Sequence, residues 1–246
     1  MEERLAGGNL GGVVRSGETV RRAAGAHTAT VQALLAWVRE RGFPEAPEPL
    51  GLDERGREVV AFIAGDVPEY PLPPWALADD ALVAVAKLLR RLHDATAGFE
   101  GDGWQRLEGM PECGDVICHN DVAPYNTVYE QGRPIAFIDW DFASPAPRAW
   151  DLAHVAWRFA PLTAGGDPAD AARRVRLLCD AYGLDPRERE RFAETVAARA
   201  QSLHDTIRER AAAGDPGFAA MWDTHHSQQP LRDRDWVLAH AAELAP

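Results

Sequence analysis

An α+β protein in two lobes, a small β-rich N-terminal one and a larger, mainly helical C-terminal one, is predicted by three observations. Short β-branched runs punctuated by glycine fill the chain up to about residue 66, a proline-rich stretch follows, and apolar residues then recur at helical spacing through most of the remainder. The 246 residues suit one large domain or two modest ones, at roughly 100 to 200 residues each. The expected division is a small N-terminal lobe over 1–66, a hinge or connector over 67–76 and a large C-terminal lobe over 77–246.

Taken in order, a glycine cluster (Gly7, Gly8, Gly11, Gly12) precedes Val13-Val14-Arg15, a Ser16-Gly17 turn and Glu18-Thr19-Val20-Arg21-Arg22, which reads as a β-hairpin region. Val31, Leu34, Leu35 and Val38 then mark a helix up to Gly42, with Thr28 or Thr30 as its cap. Strands are expected near 48–53 and 57–63. Pro68, Pro71, Pro73 and Pro74 form the connector. Beyond it Leu82, Val85, Leu88, Leu89 and Leu92 line one face of a helix over Ala78 to Thr96. Helices are expected near 149–160, 168–182, 186–213 and 233–243.

Composition narrows the function. The net charge of −12, with no basic run, argues against a nucleic-acid partner. The amino terminus lacks a basic and apolar leader pattern and no apolar run approaches the roughly 18 residues of a bilayer span, so a soluble cytoplasmic protein is expected, with no membrane partner, as a monomer or dimer. Cys113, Cys118 and Cys179 have no metal spacing and read as small packed hydrophobes.

The chemistry concentrates in residues 115–143, where the helical pattern breaks. Two apolar strands flank Gln131-Gly132-Arg133-Pro134, a hairpin signal. A fold about Gly132-Arg133 sets Asn126 opposite Asp139, and opposed Cβ atoms lie about 4.5 to 5.5 Å apart. An amide oxygen and a carboxylate so placed can share a hard cation such as Mg2+, which takes oxygen ligands and completes its shell with water and phosphate. Asp121, on the loop before the first strand and stiffened by Pro124, can accept the proton of an attacking hydroxyl. These are the working parts of phosphoryl transfer from a magnesium nucleotide such as ATP.

The order His119-x-Asp121-x-x-x-x-Asn126, then Ile138-Asp139, then Trp150-Asp151-Leu152-Ala153, resembles the aminoglycoside phosphotransferase family of the protein-kinase-like fold, with choline and homoserine kinases as broader relatives. The resemblance implies that Asp121 is the catalytic base and that Asn126 and Asp139 are the magnesium ligands. It also implies that Gly8, Gly11 and Gly12 belong to a nucleotide-covering loop and that Leu92-His93 ends the first large-lobe helix. His119 and Asp151 read as supports of the loop; Asp141 reads equally as a second acid at the metal or as a cap. The short passage from Asp139 to Trp150-Asp151 leaves little room for the activation loop of a protein kinase.

The pattern departs in one place. Lys87, on the helix after the hinge, is the single lysine, so the small-lobe strand has none for the nucleotide phosphates, and the helix offers Gln32 where the fold expects a glutamate. Arg21 is the expected phosphate contact, since a guanidinium binds phosphate oxygens bidentately. Two classes of function follow: a small-molecule kinase acting on a hydroxyl, with a cationic aminoglycoside or amino alcohol as acceptor, or a kinase-like binding or immunity protein that sequesters its ligand. Retention of Asp121, Asn126 and Asp139 together favours the enzyme. Asp167, Asp170, Asp180, Asp205, Glu209, Asp215 and Asp223 could attract a cation, although solvated helix faces balanced by arginines are the preferred explanation of them. Trp157, Trp222, His225 and His226 are candidate pocket walls.

Overall fold

The computed structural model describes residues 2–5, 12–224 and 227–245. The N-terminal part is an antiparallel sheet, order β1-β2-β3-β5-β4, of β1 (Glu2–Arg4), β2 (Val14–Ser16), β3 (Thr19–Ala23), β4 (Pro49–Leu52) and β5 (Arg57–Ala61), with helix α1 (Thr28–Glu40) between β3 and β4. The hairpin turn falls at Gly17, whose φ of +61° suits glycine. β1 went unread because three polar residues carry no alternation; it is held by pairing Glu3 with Arg15. Neither expected threonine caps α1. Thr28 lies inside the first turn and its hydroxyl accepts from the Gly25 N–H, while the Thr30 hydroxyl donates to the Asp102 carbonyl.

The connector docks onto the large lobe through reciprocal backbone bonds between Asp66 and Tyr129, 2.8 Å each. This approach requires Gly65. With φ at +151°, a Cβ there would lie 2.5 Å from Val128 Cγ1 and 2.6 Å from the Tyr129 carbonyl oxygen. Gly65→Ala is therefore expected to cost about 2 kcal/mol, read as a lowered Tm.

Helix α2 (Asp79–Thr96) buries the predicted stripe, Leu82, Val85, Leu88, Leu89 and Leu92, and leaves Lys87 exposed. Each such side chain contributes about 1.5–3 kcal/mol. These leucines join Val31, Leu34, Leu35 and Val38 of α1 and Phe137 and Trp140 in one continuous core, so the first helix of the small lobe packs on the large one.

Between α2 and the later helices lie two short antiparallel pairs, β6 (Val116–Cys118) with β9 (Ser144–Ala146), and β7 (Thr127–Glu130) with β8 (Arg133–Phe137). The rest is helical: α3 (Arg148–Phe159), α4 (Pro168–Tyr182), α5 (Pro186–Glu190), α6 (Phe192–Ala212), α7 (Pro216–Trp222), α8 (Gln229–Ala239) and α9 (Ala241–Leu244). The expected 186–213 helix is broken at Arg191, and α7, capped by Asp215 through the Gly217 and Phe218 N–H groups, was not anticipated. Cys118 and Cys179 are packed hydrophobes as expected; Cys113 is exposed. Among the described residues no helix is long and apolar enough to cross a membrane.

Candidate active site

The loop carrying Asp121 runs from β6 to β7 and is fixed from below by one buried carboxylate. Asp151, in the first turn of α3, accepts the His119 N–H at 2.8 Å and the Asn120 N–H at 3.0 Å, and its Oδ2 lies 3.1 Å from His93 Nε2. Burial pushes its pKa up, but the His93 contact and the backbone N–H groups outweigh this and hold the carboxyl below the usual range. His93, Cys118 and Asp151 stand close enough together to ligate a metal, yet both Asp151 oxygens are committed to the loop. The brace explains why this aspartate follows Trp150 in sequence: entering α3 from β9 brings it directly beneath the strand end at Cys118.

His119 is the second support. Its Nδ1 accepts the Asp121 N–H at 3.3 Å, which leaves the proton on Nε2 to donate to the Ile138 carbonyl at 3.1 Å. Burial lowers its pKa to about 4, so the ring is neutral and ties the loop to the end of β8. Asn120 adopts φ +64° and uses its amide to hold the Phe142 carbonyl and the Ser144 hydroxyl.

Asp121 follows, with 25% of its side chain exposed. The Asn126 amide donates to its Oδ2 at 2.8 Å and to its backbone carbonyl at 3.0 Å, because a 3-10 turn over Pro124–Asn126 folds the chain back on the loop. The neutral His154 lies on the other side, Nε2 3.3 Å from Asp121 Oδ1. Burial and the nearby Asp139 charge raise the Asp121 pKa to about 7, against the opposing influence of Arg199, Arg158 and Asn126.

The hairpin differs from expectation by one residue. Gln131 and Gly132, both at positive φ (+51° and +75°), form the two-residue turn, so Glu130 pairs with Arg133 and Tyr129 with Pro134; an irregularity between Val128 and Tyr129 then shifts the register by one, and Thr127 pairs with Phe137. Asn126 therefore meets Ile138, whose N–H donates to its carbonyl at 2.9 Å, and Asp139 lies one residue beyond the ladder. There Asp139 takes φ +64°, a left-handed conformation that aspartate tolerates better than most residues and that breaks the strand's alternation.

Arg22 is the central departure from the sequence reading. On β3 neighbouring side chains point to opposite faces, and it is Arg22 rather than Arg21 that faces Asp139. Arg22 Nη1 donates to Asp139 at 2.8 Å, Nη2 lies 2.7 Å from Asp141, and Nε donates to Glu58 at 2.5 Å. Arg21 lies instead 3.8 Å from Glu2 and 3.9 Å from Asp53, on the other face of the sheet. Glu58 is buried on β5 directly across from Arg22, and the Gln32 amide holds its second oxygen at 2.8 Å. The acid that the fold expects on α1 thus comes from the adjacent strand. The missed signal is the cross-strand pattern: Val20-x-Arg22 against Glu58-x-Val60 puts a base opposite an acid on one face.

Asp141 is neither a cap nor an isolated second acid. Burial works to raise its pKa, but His27 at 3.1 Å and Arg22 hold it below the usual range. Burial and the Asp141 charge leave Asp139 raised despite Arg22. Asp139 Oδ2 and Asn126 Oδ1 make no hydrogen bond among the described residues, and a carboxylate crowded by a second one suits a hard cation. The donor set therefore fits Mg2+. Gly8 and Gly11, like His225 and His226, lie outside the described residues; Gly12, φ +79°, precedes β2 and a Cβ there would meet nothing within 4 Å.

The acidic residues that might have drawn a cation are largely engaged elsewhere. Asp167 and Asp215 cap α4 and α7, and Asp170, Asp180 and Asp205 pair with Arg173, Arg189 and Arg208, the last of which also meets Glu209.

Comparison with known proteins agrees with this architecture. Residues 104–194 match the model of the phosphotransferase enzyme family. The chain is 34% identical to the trifolitoxin immunity protein of Rhizobium leguminosarum bv. trifolii over 264 aligned residues, covering 98% of this chain and 96% of that protein. Among solved structures, a choline/ethanolamine kinase family protein from Mesorhizobium loti superposes with a TM-score of 0.61 at 18% identity, over 95% of this chain and 92% of that one. The amicoumacin kinase hAmiN, in complex with AMP-PNP, Ca2+ and Ami, gives 0.62 at 12% identity, over 91% and 87%. The chain belongs to the phosphotransferase enzyme family, with the protein-kinase-like fold.

Proposed function

We propose that the protein transfers the γ-phosphoryl group of ATP to a hydroxyl of a small molecule, with Asp121 as the base. The observation that carries this reading is the Asn126 to Asp121 bond at 2.8 Å on a loop braced by Asp151. It holds a partly exposed carboxylate beside a second oxygen donor and within electrostatic reach of Asp139. Asn126 and Asp139 are the residues to hold Mg2+, which when bound supplies charge neutralisation of the phosphates. The chain's own part is orientation: Asp121 aligns the acceptor hydroxyl and takes its proton, while the loop's fixed N–H groups keep that carboxylate from turning away.

Arg22, not Arg21, is proposed as the phosphate contact, released from Asp139 when nucleotide and metal arrive. Arg22→Ala is expected to weaken ATP binding roughly 10- to 100-fold, the value of a charge-assisted hydrogen bond, while Arg21→Ala changes it less than about twofold. Calorimetric titration with Mg-ATP checks both. Equal effects of the two variants would remove Arg22 from the nucleotide site.

A second reading, sequestration of a ligand without turnover, is favoured by the similarity to a protein named for immunity. One experiment separates the two: nucleotide consumption by the wild type across aminoglycosides, amino alcohols, sugars and hydroxy acids, with phosphorus NMR of any product. A phosphorylated product supports the kinase; neither turnover nor nucleotide binding supports sequestration.

A further inference from the structure

The site holds two arginines to which neither the sequence reading nor the phosphoryl-transfer reading gives work. Arg158 lies one turn beyond His154 on α3, at i+4, so it shares the face that meets Asp121. Its guanidinium carbon sits 3.9 Å from the centre of the Trp157 ring. Its Nε is buried without a partner, and among the described residues the side chain makes no ion pair or hydrogen bond. Two acids lie within its electrostatic reach, Asp121 and Asp233. Asp233 is spent: Oδ2 accepts the Trp157 indole at 2.9 Å, and Oδ1 accepts the Ala164 N–H at 2.9 Å and the Gln229 amide at 2.8 Å.

Arg199, from α6, is 1% exposed. One of its nitrogens donates to the Asn120 carbonyl at 2.6 Å, and the other two, Nε and Nη1, have no partner. Burial, reinforced by the Arg158 charge and opposed by Asp121, lowers its pKa to about 10. Two guanidinium groups thus share the Asp121 charge, and neither forms an ion pair among the described residues, in a chain with a net charge of −12. An exposed arginine can leave its charge in water. These have buried donors, and two cations set against one shared carboxylate leave charge for a bound anion to neutralise.

We infer that Arg158, backed by Arg199, reads a carboxylate on the acceptor whose hydroxyl is presented to Asp121. This deepens the phosphoryl-transfer reading and rests on it for the role of the hydroxyl. Arginine suits a planar carboxylate because its N–H groups match two oxygens at once. A phosphorylated acceptor fits less well, since a dianion beside Asp121, Asp139 and the nucleotide phosphates meets twice the repulsion that a carboxylate does. The rings of Tyr70 and Tyr125, 6.0 Å apart, lie in the same electrostatic neighbourhood as Arg158 and supply the apolar wall for the carbon chain between the two groups. A polycationic acceptor is disfavoured by the same two arginines.

The test separates binding from turnover. Glycerate, 3-hydroxybutyrate, serine and N-acetylserine, each beside its primary amide, are titrated into protein carrying 15N-labelled arginine, with the Arg158 Nε signal assigned by its loss in Arg158→Lys. Glycerol phosphate and an aminoglycoside complete the panel. At least one hydroxy carboxylate is expected to shift that signal saturably while its amide binds at least tenfold more weakly. Arg158→Gln, checked for folding by circular dichroism, should weaken the same carboxylate at least tenfold, and Arg158→Lys should restore part of the loss. For an acceptor that turns over, the Arg158→Gln effect should fall on KM rather than kcat. Amides binding as well as acids, no saturable binding of any carboxylate, stronger binding of glycerol phosphate or the aminoglycoside, or carboxylate binding indifferent to Arg158→Gln would each overturn the inference. Carboxylate binding through Arg158 with no ATP consumption supports the subsite and overturns the kinase reading instead.

Discussion

Asp121→Asn is expected to lower kcat by roughly 10²- to 10⁴-fold on whichever acceptor the panel identifies, the range a positioned general base contributes. Affinity for Mg-ATP should stay within about twofold of wild type. The amide is isosteric and its oxygen can still accept from Asn126, so the loop keeps its shape; what is lost is the capacity to take the hydroxyl proton. Asn126 and Asp139 remain in place for the metal. Single-turnover kinetics with a parallel nucleotide titration separates the two effects. Undiminished turnover would remove Asp121 from the mechanism, whereas loss of nucleotide binding would make it part of the metal site.

Asp151→Ala should destabilise the large lobe by about 3–5 kcal/mol, from leaving several buried donors without an acceptor at about 1–3 kcal/mol each. It would leave the His119 and Asn120 N–H groups buried without acceptors and His93 with only the Tyr182 hydroxyl, 2.6 Å from its other ring nitrogen. Urea unfolding reads the loss as a lowered midpoint. The effect has a pH signature. Asp151 is held below its unfolded pKa of about 3.9, so its contribution is fully present above that value and is lost as pH falls through the lower folded one. Between about pH 4 and 2 the wild type should lose stability more steeply than the variant. Parallel slopes would mean that the carboxylate does not titrate with folding.

The large-lobe chemistry was legible because its signals are local. The spacing from His119 to Asn126, the hairpin flanks and the Trp150-Asp151 pair each fix a position within a few residues of another, and the structure gathers Asp121 and Asn126 as that spacing implies. The turn slipped by one because nothing in Gln131-Gly132-Arg133 announces which two residues take positive φ; glutamine seldom does, and here it does at +51°. That slip moves each partner by two, and the irregularity between Val128 and Tyr129, equally silent in the sequence, restores one. Asp139 still faces the small lobe because its own left-handed backbone turns it out of the strand's alternation.

The small lobe was less legible. Arg21 and Arg22 are adjacent and chemically identical, and only pairing with β5 decides which one meets Glu58. Pairing across 36 residues of sequence leaves no local trace. The acceptor arginines were missed for a related reason. Asp151, His154 and Arg158 recur at i, i+3 and i+7 and so share one face of α3, a pattern visible in the sequence. Its meaning depended on knowing that this face underlies the catalytic loop. Arg199 comes from a helix more than forty residues later and could be placed only by the fold.

The partnership of Arg22 with Glu58 has a consequence for control. In kinases whose small-lobe base is paired with a glutamate on the neighbouring helix, swinging that helix outward breaks the pair and switches the enzyme off. Here both partners belong to one sheet, joined by backbone bonds between β3 and β5. Displacing α1 would strip away only the Gln32 amide and leave the cation and its counter-ion together. An outward swing of α1 therefore has no purchase on this ion pair.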